Sequence, residues 1–213
     1  MAATNKYARD VFINCPFDDE FAPGFRALVF AVIACGFRAR CALEMADASE
    51  TRIDKLYRII EQSRYGIHDL SRTELDRVNA LPRFNMPLEL GIFLGAKHFG
   101  DGDHKSKRCL LFDVEQYRFQ KFISDLAGMD IEAHAGNPRR MVSKTRDWLA
   151  TVSRRKTIPS TAALLKSYDL FVEGLPEMAA SLGFDAKSLA YPDYERFVIA
   201  WVKQSAAASK GVR

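Results

Sequence analysis

The chain has 213 residues, 48% of them hydrophobic and 27% charged, a balance that excludes a disordered tail, a collagen-like repeat or a coiled-coil rod. Roughly 100–200 residues make one domain, so one α/β domain and a small appendage are expected. The net charge of +4 is too mild to imply nucleic acid, and its excess is C-terminal: 13 Lys+Arg against 7 Asp+Glu from Gly136 onward, densest at Arg154-Arg155-Lys156. Apolar runs such as Ala27–Cys35 fall short of the ~20 residues a membrane helix needs. The first residues lack the apolar core of a secretory signal, and a cytoplasmic protein with no membrane partner is expected. Cys15, Cys35, Cys41 and Cys109 show no C-x-x-C spacing, so buried free thiols are expected.

In chain order, residues 10–15 form a short apolar run closed by Pro16, a buried strand. Phe21, Phe25, Leu28, Val29, Val32 and Ile33 give helical spacing over 18–35, with Gly36 as the stop. Residues 37–43 are a second strand. Ser49 is the expected N-cap of a helix through Ile53, Leu56, Ile59 and Ile60. A third strand covers 65–70. Helical spacing returns over 86–99, with Pro87 in the first turn. Residues 109–113 are a fourth strand, 116–126 a helix, 129–134 a last strand and 139–152 a last crossover helix.

Strands alternating with helices call for a parallel sheet, and five strands in ~150 residues fit a flavodoxin-like doubly wound α/β fold with a helical C-terminal extension. The expected organisation is an α/β domain over 1–152, a basic linker over 153–160 and a helical segment over 161–213. The helices there are expected over 161–182 and 193–208, with Trp148 and Trp201 as packing residues.

Ligands of an open parallel sheet bind outside the carboxyl ends of the strands. In the loop after the first strand, Asn14 can hold a ribose hydroxyl or phosphate, Pro16 stiffens the turn and Phe17 can stack on a base. Equally, Asp18 or Asp19 caps the next helix and Asn14 closes the turn. After the second strand, Glu44, Asp47 and Arg52 are either a phosphate-reaching group or a surface salt bridge. The densest region is His68-Asp69-Leu70-Ser71-Arg72 with Arg83, Asn85 and Glu89, since burying such polar groups unpaired is costly. Glu89 stands among Leu88, Leu90, Ile92, Phe93 and Leu94. It is either a carboxylate favoured by the helix dipole or one held in a cleft as nucleophile or base. His98 and His134 suggest no functional role.

The order of Val11–Phe17, then Ile67–Ser71, then Asn85–Gly91 resembles the bacterial TIR-like proteins, which are related in layout to the nucleoside 2-deoxyribosyltransferases. The resemblance covers residues 9–150. It implies a nucleoside-sized cleft with Glu89 as catalytic carboxylate and Asp69 orienting the sugar or base. Asn14 and Phe17 become first-loop contacts, with Pro16, Arg52, His68, Ser71, Arg83 and Asn85 as further substrate contacts. The transferases place Gly and Thr or Ser before the Glu helix, whereas this chain has Phe84-Asn85-Met86-Pro87, so hydrolysis can replace transfer. The expected activity is NAD cleavage in bacterial anti-phage defence, with NAD as substrate and no cofactor. Arg52 or Arg83 would meet the pyrophosphate. A homo-oligomer or an activating partner is expected to switch the enzyme on. A transferase, a non-catalytic nucleotide sensor and a structural interaction domain are the alternatives.

Overall fold

A computed structural model describes residues 6–44, 49–75 and 80–210. The chain divides into two compact units. The first runs to Phe25 and resumes from Arg38 to Pro138; the second comprises Arg26–Phe37 and the chain from Arg139 onward.

The first unit holds an all-parallel sheet of β1 (Asp10–Asn14), β2 (Arg38–Arg40), β3 (Tyr65–Asp69), β4 (Arg108–Asp113) and β5 (Glu132–Ala133). Its order is β2-β1-β3-β4-β5. Phe12 pairs with Arg40 on one side and Gly66 on the other, and Ile67 pairs with Leu110. The winding therefore reverses at β1, the doubly wound, flavodoxin-like arrangement expected from the alternation. That reversal opens a crevice at the carboxyl ends of β1 and β3.

β1 and β3 are buried along their whole length, as strands covered on both faces must be. Two helices of this unit carry apolar stripes at helical spacing. In α2 (Arg52–Gln62) Leu56, Ile59 and Ile60 are buried; in α3 (Asn85–Phe99) the buried set is Met86, Glu89, Leu90 and Phe93. Phe12, Leu56, Ile59, Ile60 and Phe93 pack as one cluster. Leu70, Met86, Leu90, Leu111, Phe119 and Ile131 form a second.

Helix α1 (Ala22–Ala34) crosses the division between the units. It starts later than its apolar spacing predicts, because residues 18–21 form a turn in which Asp18 Oδ1 accepts a hydrogen bond from the Phe21 amide, 3.0 Å. Gly36 ends it at φ +82°, a conformation that favours glycine. The cap of α2 is Thr51, not Ser49: its hydroxyl accepts from the Asp54 amide. Residues 116–126 make two 3-10 turns in place of a helix, since Tyr117 sits at φ 64° and breaks the α-helical run.

In the second unit α4 (Pro138–Ser153), α5 (Thr161–Ser181) and α6 (Tyr191–Lys210) follow one another. Phe171 is the centre of an aromatic group, with ring centroids 5.2–5.9 Å from Phe30, Tyr194 and Trp201. Trp201 also donates to Ser167 Oγ, 3.0 Å. Ser160 caps α5 through the Ala163 amide. Within the basic stretch, Arg155 donates to Gly36 O and lies over the Phe37 ring, so this arginine is a packing residue. All four cysteines are free, three buried and Cys109 partly so. No described helix is long and apolar enough to cross a membrane.

Candidate functional site

The β1 and β3 ends are tied by one amide. Asn14 Nδ2 donates to Met86 O at 2.8 Å and lies 3.0 Å from His68 Nδ1, fixing the start of α3 against both strands. Asn14 is 1% exposed and its Oδ1 has no hydrogen-bond partner among the described residues. His68 is a core residue rather than a surface contact: its ring meets the edges of Phe12 and Phe93, 5.8 and 5.0 Å away. Burial drives its pKa down to about 3, so the ring is neutral.

Glu89 occupies a position of the buried α3 stripe that apolar patterning would fill with a hydrophobic side chain. It is 5% exposed and accepts no hydrogen bond among the described residues. Burial pushes its carboxyl up to about 7, opposed by the charge of Arg52 at the start of α2. The Cys15 thiol is held well above its ordinary value by burial, then by Asp69, Cys41, Glu89 and Asp18.

Asp69 differs from Glu89 in being fully enclosed. Its Oδ1 accepts from the Ser71 amide at 2.9 Å and from the Ser71 hydroxyl. Its Oδ2 lies 3.1 Å from His134 Nε2, a contact without hydrogen-bond alignment. His134 in turn accepts from the Gly136 amide on Nδ1, 2.9 Å, so in the neutral ring the proton resides on Nε2. Beside it, Asp113 takes Arg118 Nε at 2.8 Å and the Val114 amide at 2.7 Å. Burial lifts the Asp113 carboxyl above its ordinary range despite Arg118.

A cleft of about 280 Å³ opens over this second group, lined by Phe21, Ser71, Arg72, Glu74, His134 and Gly136 among others. A larger groove of about 380 Å³, between α5 and α6, is lined mainly by Met178, Leu182, Phe184, Phe197 and Trp201, with the Asp193–Arg196 ion pair at its side. Among the described residues no three His, Cys, Asp or Glu side chains gather as a metal site.

The loops after β1 and β3 are linked by charge. Asp18 receives Arg72 at 3.2 Å and Arg83 at 3.0 Å, and Arg72 also reaches Glu20 at 2.6 Å. Burial raises the Asp18 pKa, but the Arg72 and Phe21 hydrogen bonds outweigh it and hold the carboxyl below its ordinary range. Arg83 is thus engaged with protein. Pro16 is buried in the turn, and half-buried Phe17 packs edge-on against Phe25 at 5.2 Å. Asn85 is exposed on the first turn of α3. Glu44 forms its ion pair with Arg40, which also meets Asp10 at 2.7 Å; Asp47 lies outside the described residues.

The structure brings Asn14 to His68 and Asp69 to Ser71, while Arg83 turns to Asp18 and Arg52 stays exposed at the start of α2. Sequence patterning missed His134, whose isolated position in a mixed segment carries no periodic signal. No family model, curated protein or solved structure matches the chain.

Proposed function

We propose that the chain is an N-glycosidase that cleaves the ribosyl–nicotinamide bond of NAD, a TIR-like enzyme with Glu89 as the carboxylate beside the anomeric carbon. The observation that carries this reading is the state of Glu89: buried on the α3 stripe and without a hydrogen-bond donor among the described residues, so that burial raises its carboxyl toward about 7. A carboxyl left in that condition is poorly suited to stabilising a fold and well suited to meeting a cation.

The chemistry follows from charge. Nicotinamide bound to ribose is cationic, and its arrival beside Glu89 favours the ionised carboxylate. The C1′–N1 bond breaks with its electron pair passing to the ring nitrogen, so nicotinamide leaves neutral and needs no proton. The carboxylate stabilises the oxocarbenium ion left behind. Water then adds at C1′ as Glu89 takes its proton, giving ADP-ribose and an acid that returns the proton to solvent. In this scheme Asp69 shapes the β3 end through Ser71 and His134, since neither of its oxygens reaches solvent.

Unregulated loss of NAD would damage the cell that makes the protein. The reading therefore includes a bacterial defence role in which activity waits on self-assembly or an activating partner, and the helical second unit is the candidate assembly element.

The test is nicotinamide release from NAD at high protein concentration by the wild type and Glu89→Gln. Release lost in Glu89→Gln, with NAD binding retained, is the expected result. Equal release by both proteins would overturn the role of Glu89. Binding without turnover in the wild type under assembling conditions would favour a nucleotide sensor.

A further inference from the structure

The solvent face of a helix is ordinarily polar, as on α2, whose exposed residues are Arg52, Asp54, Tyr57, Glu61 and Gln62. The outward face of α3 departs from that pattern. At about 100° per residue, Phe84 at the cap and Leu88, Gly91, Gly95 and Phe99 fall within about 80° of arc, a stripe about 22 Å long. Phe84 is 67% exposed, Leu88 56% and Phe99 81%, and no Asp, Glu, Lys or Arg stands in that arc. Glu89 belongs to the opposite, buried side of the same helix.

The two glycines carry a separate signal. Glycine inside a helix is less stable than alanine, so it is explained where a side chain would collide. Within this chain nothing would: a Cβ at Gly91 or Gly95 meets no described atom within 4 Å, and neither residue has the left-handed backbone that favours glycine. Gly66 and Gly100 show the contrast, since a Cβ there would come within 2.6 and 2.5 Å of its neighbours. The bare backbone at positions 91 and 95 is therefore suited to a close approach from outside the chain.

We propose that this face docks on a second copy of the chain, the two α3 helices crossing antiparallel about a two-fold axis. The occupant follows from the order of the stripe, because a two-fold interface must be complementary to itself. Reversing α3 about Phe93 exchanges Gly91 with Gly95 and brings Phe99 opposite Pro87 and Leu88. Backbone then meets backbone at the centre, and large side chains close both ends. The area agrees. Leu81 precedes the stripe and Leu75 bridges to Pro82 beside it, the two leucines 62% and 65% exposed. With Phe84, Leu88 and Phe99 they offer roughly 600 Å² of apolar surface per copy, most of the ~800 Å² that each partner gives to a standard interface. The face lies in the first unit, so it is distinct from the helical segment considered above for assembly, and it stands whether or not Glu89 is catalytic.

Sedimentation equilibrium of the full chain, from micromolar to submillimolar concentration, compares the wild type with Leu88→Glu, Gly91→Ala and Leu182→Glu. Leu182 is an exposed apolar residue of the second unit. Circular dichroism checks that each variant folds. The wild type is expected to dimerise, and Leu88→Glu should weaken the dimer by about thirtyfold or more, the effect of losing an interface hot spot. Gly91→Ala is the sharper variant. Its methyl has free space in the single chain, so the urea midpoint of the dilute protein is kept or raised while the dimer weakens by about tenfold or more. Leu182→Glu should leave the dimer unchanged.

A wild type that stays monomeric over the whole range would overturn the proposal, and its sedimentation with phosphatidylglycerol vesicles would assign the face to a membrane instead. A dimer that Leu182→Glu dissociates and Leu88→Glu leaves intact would overturn it by placing assembly in the second unit. So would a dimer that Gly91→Ala leaves unchanged or tightens, or one that all three variants weaken equally, which would mark no particular face.

Discussion

His134 Nε2 and Asp69 Oδ2 lie 3.1 Å apart, joining the segment beyond β5 to the carboxyl end of β3 across the end of β4. The other oxygen of Asp69 is held by Ser71, and the other nitrogen of His134 by the Gly136 amide. Each partner is thus oriented from behind, and edge contacts with Phe21 and Phe112 hold the imidazole ring. Residues far apart in sequence become one polar group under the 280 Å³ cleft.

Separating this close pair should be costly, because both groups are buried and the His134 ring fills space against Phe21 and Phe112. His134→Ala is expected to lower unfolding free energy by about 2–4 kcal/mol, combining the lost electrostatic contact with Asp69 and the cavity left by the ring. Urea denaturation of His134→Gln, Asp69→Asn and the double variant checks the pairing. The double variant should lose clearly less than the sum of the single losses. Additive losses would mean that the two groups stabilise the fold independently.

Glu89 should reveal its burial through pH. Its folded pKa of about 7 exceeds the ordinary value of 4.5, so the folded chain holds a proton that the unfolded chain has released. Stability therefore falls as pH rises from about 4.5 to 7, and the full penalty is present above that window. Glu89→Gln should remove the penalty. Its stability relative to the wild type should increase by roughly 2–4 kcal/mol between pH 5 and pH 8. Denaturation at the two pH values measures this difference, and a constant difference would place Glu89 in solvent.

How far the sequence reveals these features depends on the range of the interactions. The strands of the sheet and the stripe of α3 follow from local apolar spacing, and Glu89 stands out because it interrupts that stripe. Gly36 marks a helix end by conformational preference alone. His134 was illegible because its partner comes from a strand two positions away in the sheet. Local competition misled in two places. Thr51 outcompetes Ser49 as a cap, and a left-handed Tyr117 breaks the helix that spacing predicts over 116–126. Asn14 was legible as a strand-end polar group, but its use in tying Met86 to β1 depends on how α3 packs.

Lys107 gives the opposite pH signature from Glu89. It is fully buried, donates to Ile60 O at 2.5 Å and to Ser63 O near the end of α2, and lies 4.9 Å over the Phe93 ring. These contacts satisfy carbonyls that end a helix, yet burial still pulls its pKa down to about 8 from 10.5. Between those values the unfolded chain binds the extra proton. Stability from this group therefore rises with pH from about 8 to 10.5 and is lost as pH falls through 8. In the unfolded chain thiols and tyrosines titrate in the upper part of that range, whereas burial raises Cys15, Cys35, Tyr168 and Tyr194 in the fold, so the readout is a difference. The wild type should gain stability relative to Lys107→Met between pH 7.5 and pH 9.5. A flat difference would show that the ammonium is solvated.

Gly66 is the tightest test of packing at the centre of β3. A Cβ built there would lie 2.6 Å from His68 Nε2 and 2.9 Å from the Phe93 ring. Neither neighbour can yield freely, because Asn14 fixes one side of His68 and Phe93 belongs to the cluster with Leu56, Ile59 and Ile60. Gly66→Ala is therefore expected to destabilise by about 1–3 kcal/mol, the range for an extra methyl forced into a packed core. The same substitution should disturb the site, since His68 can retreat only by pressing on Asn14, which sets the start of α3. Nucleotide affinity measured beside the urea midpoint separates the two effects. Lost stability with unchanged affinity would show that the strain stays within the core, whereas a joint loss would show that Gly66 helps to set the position of Glu89.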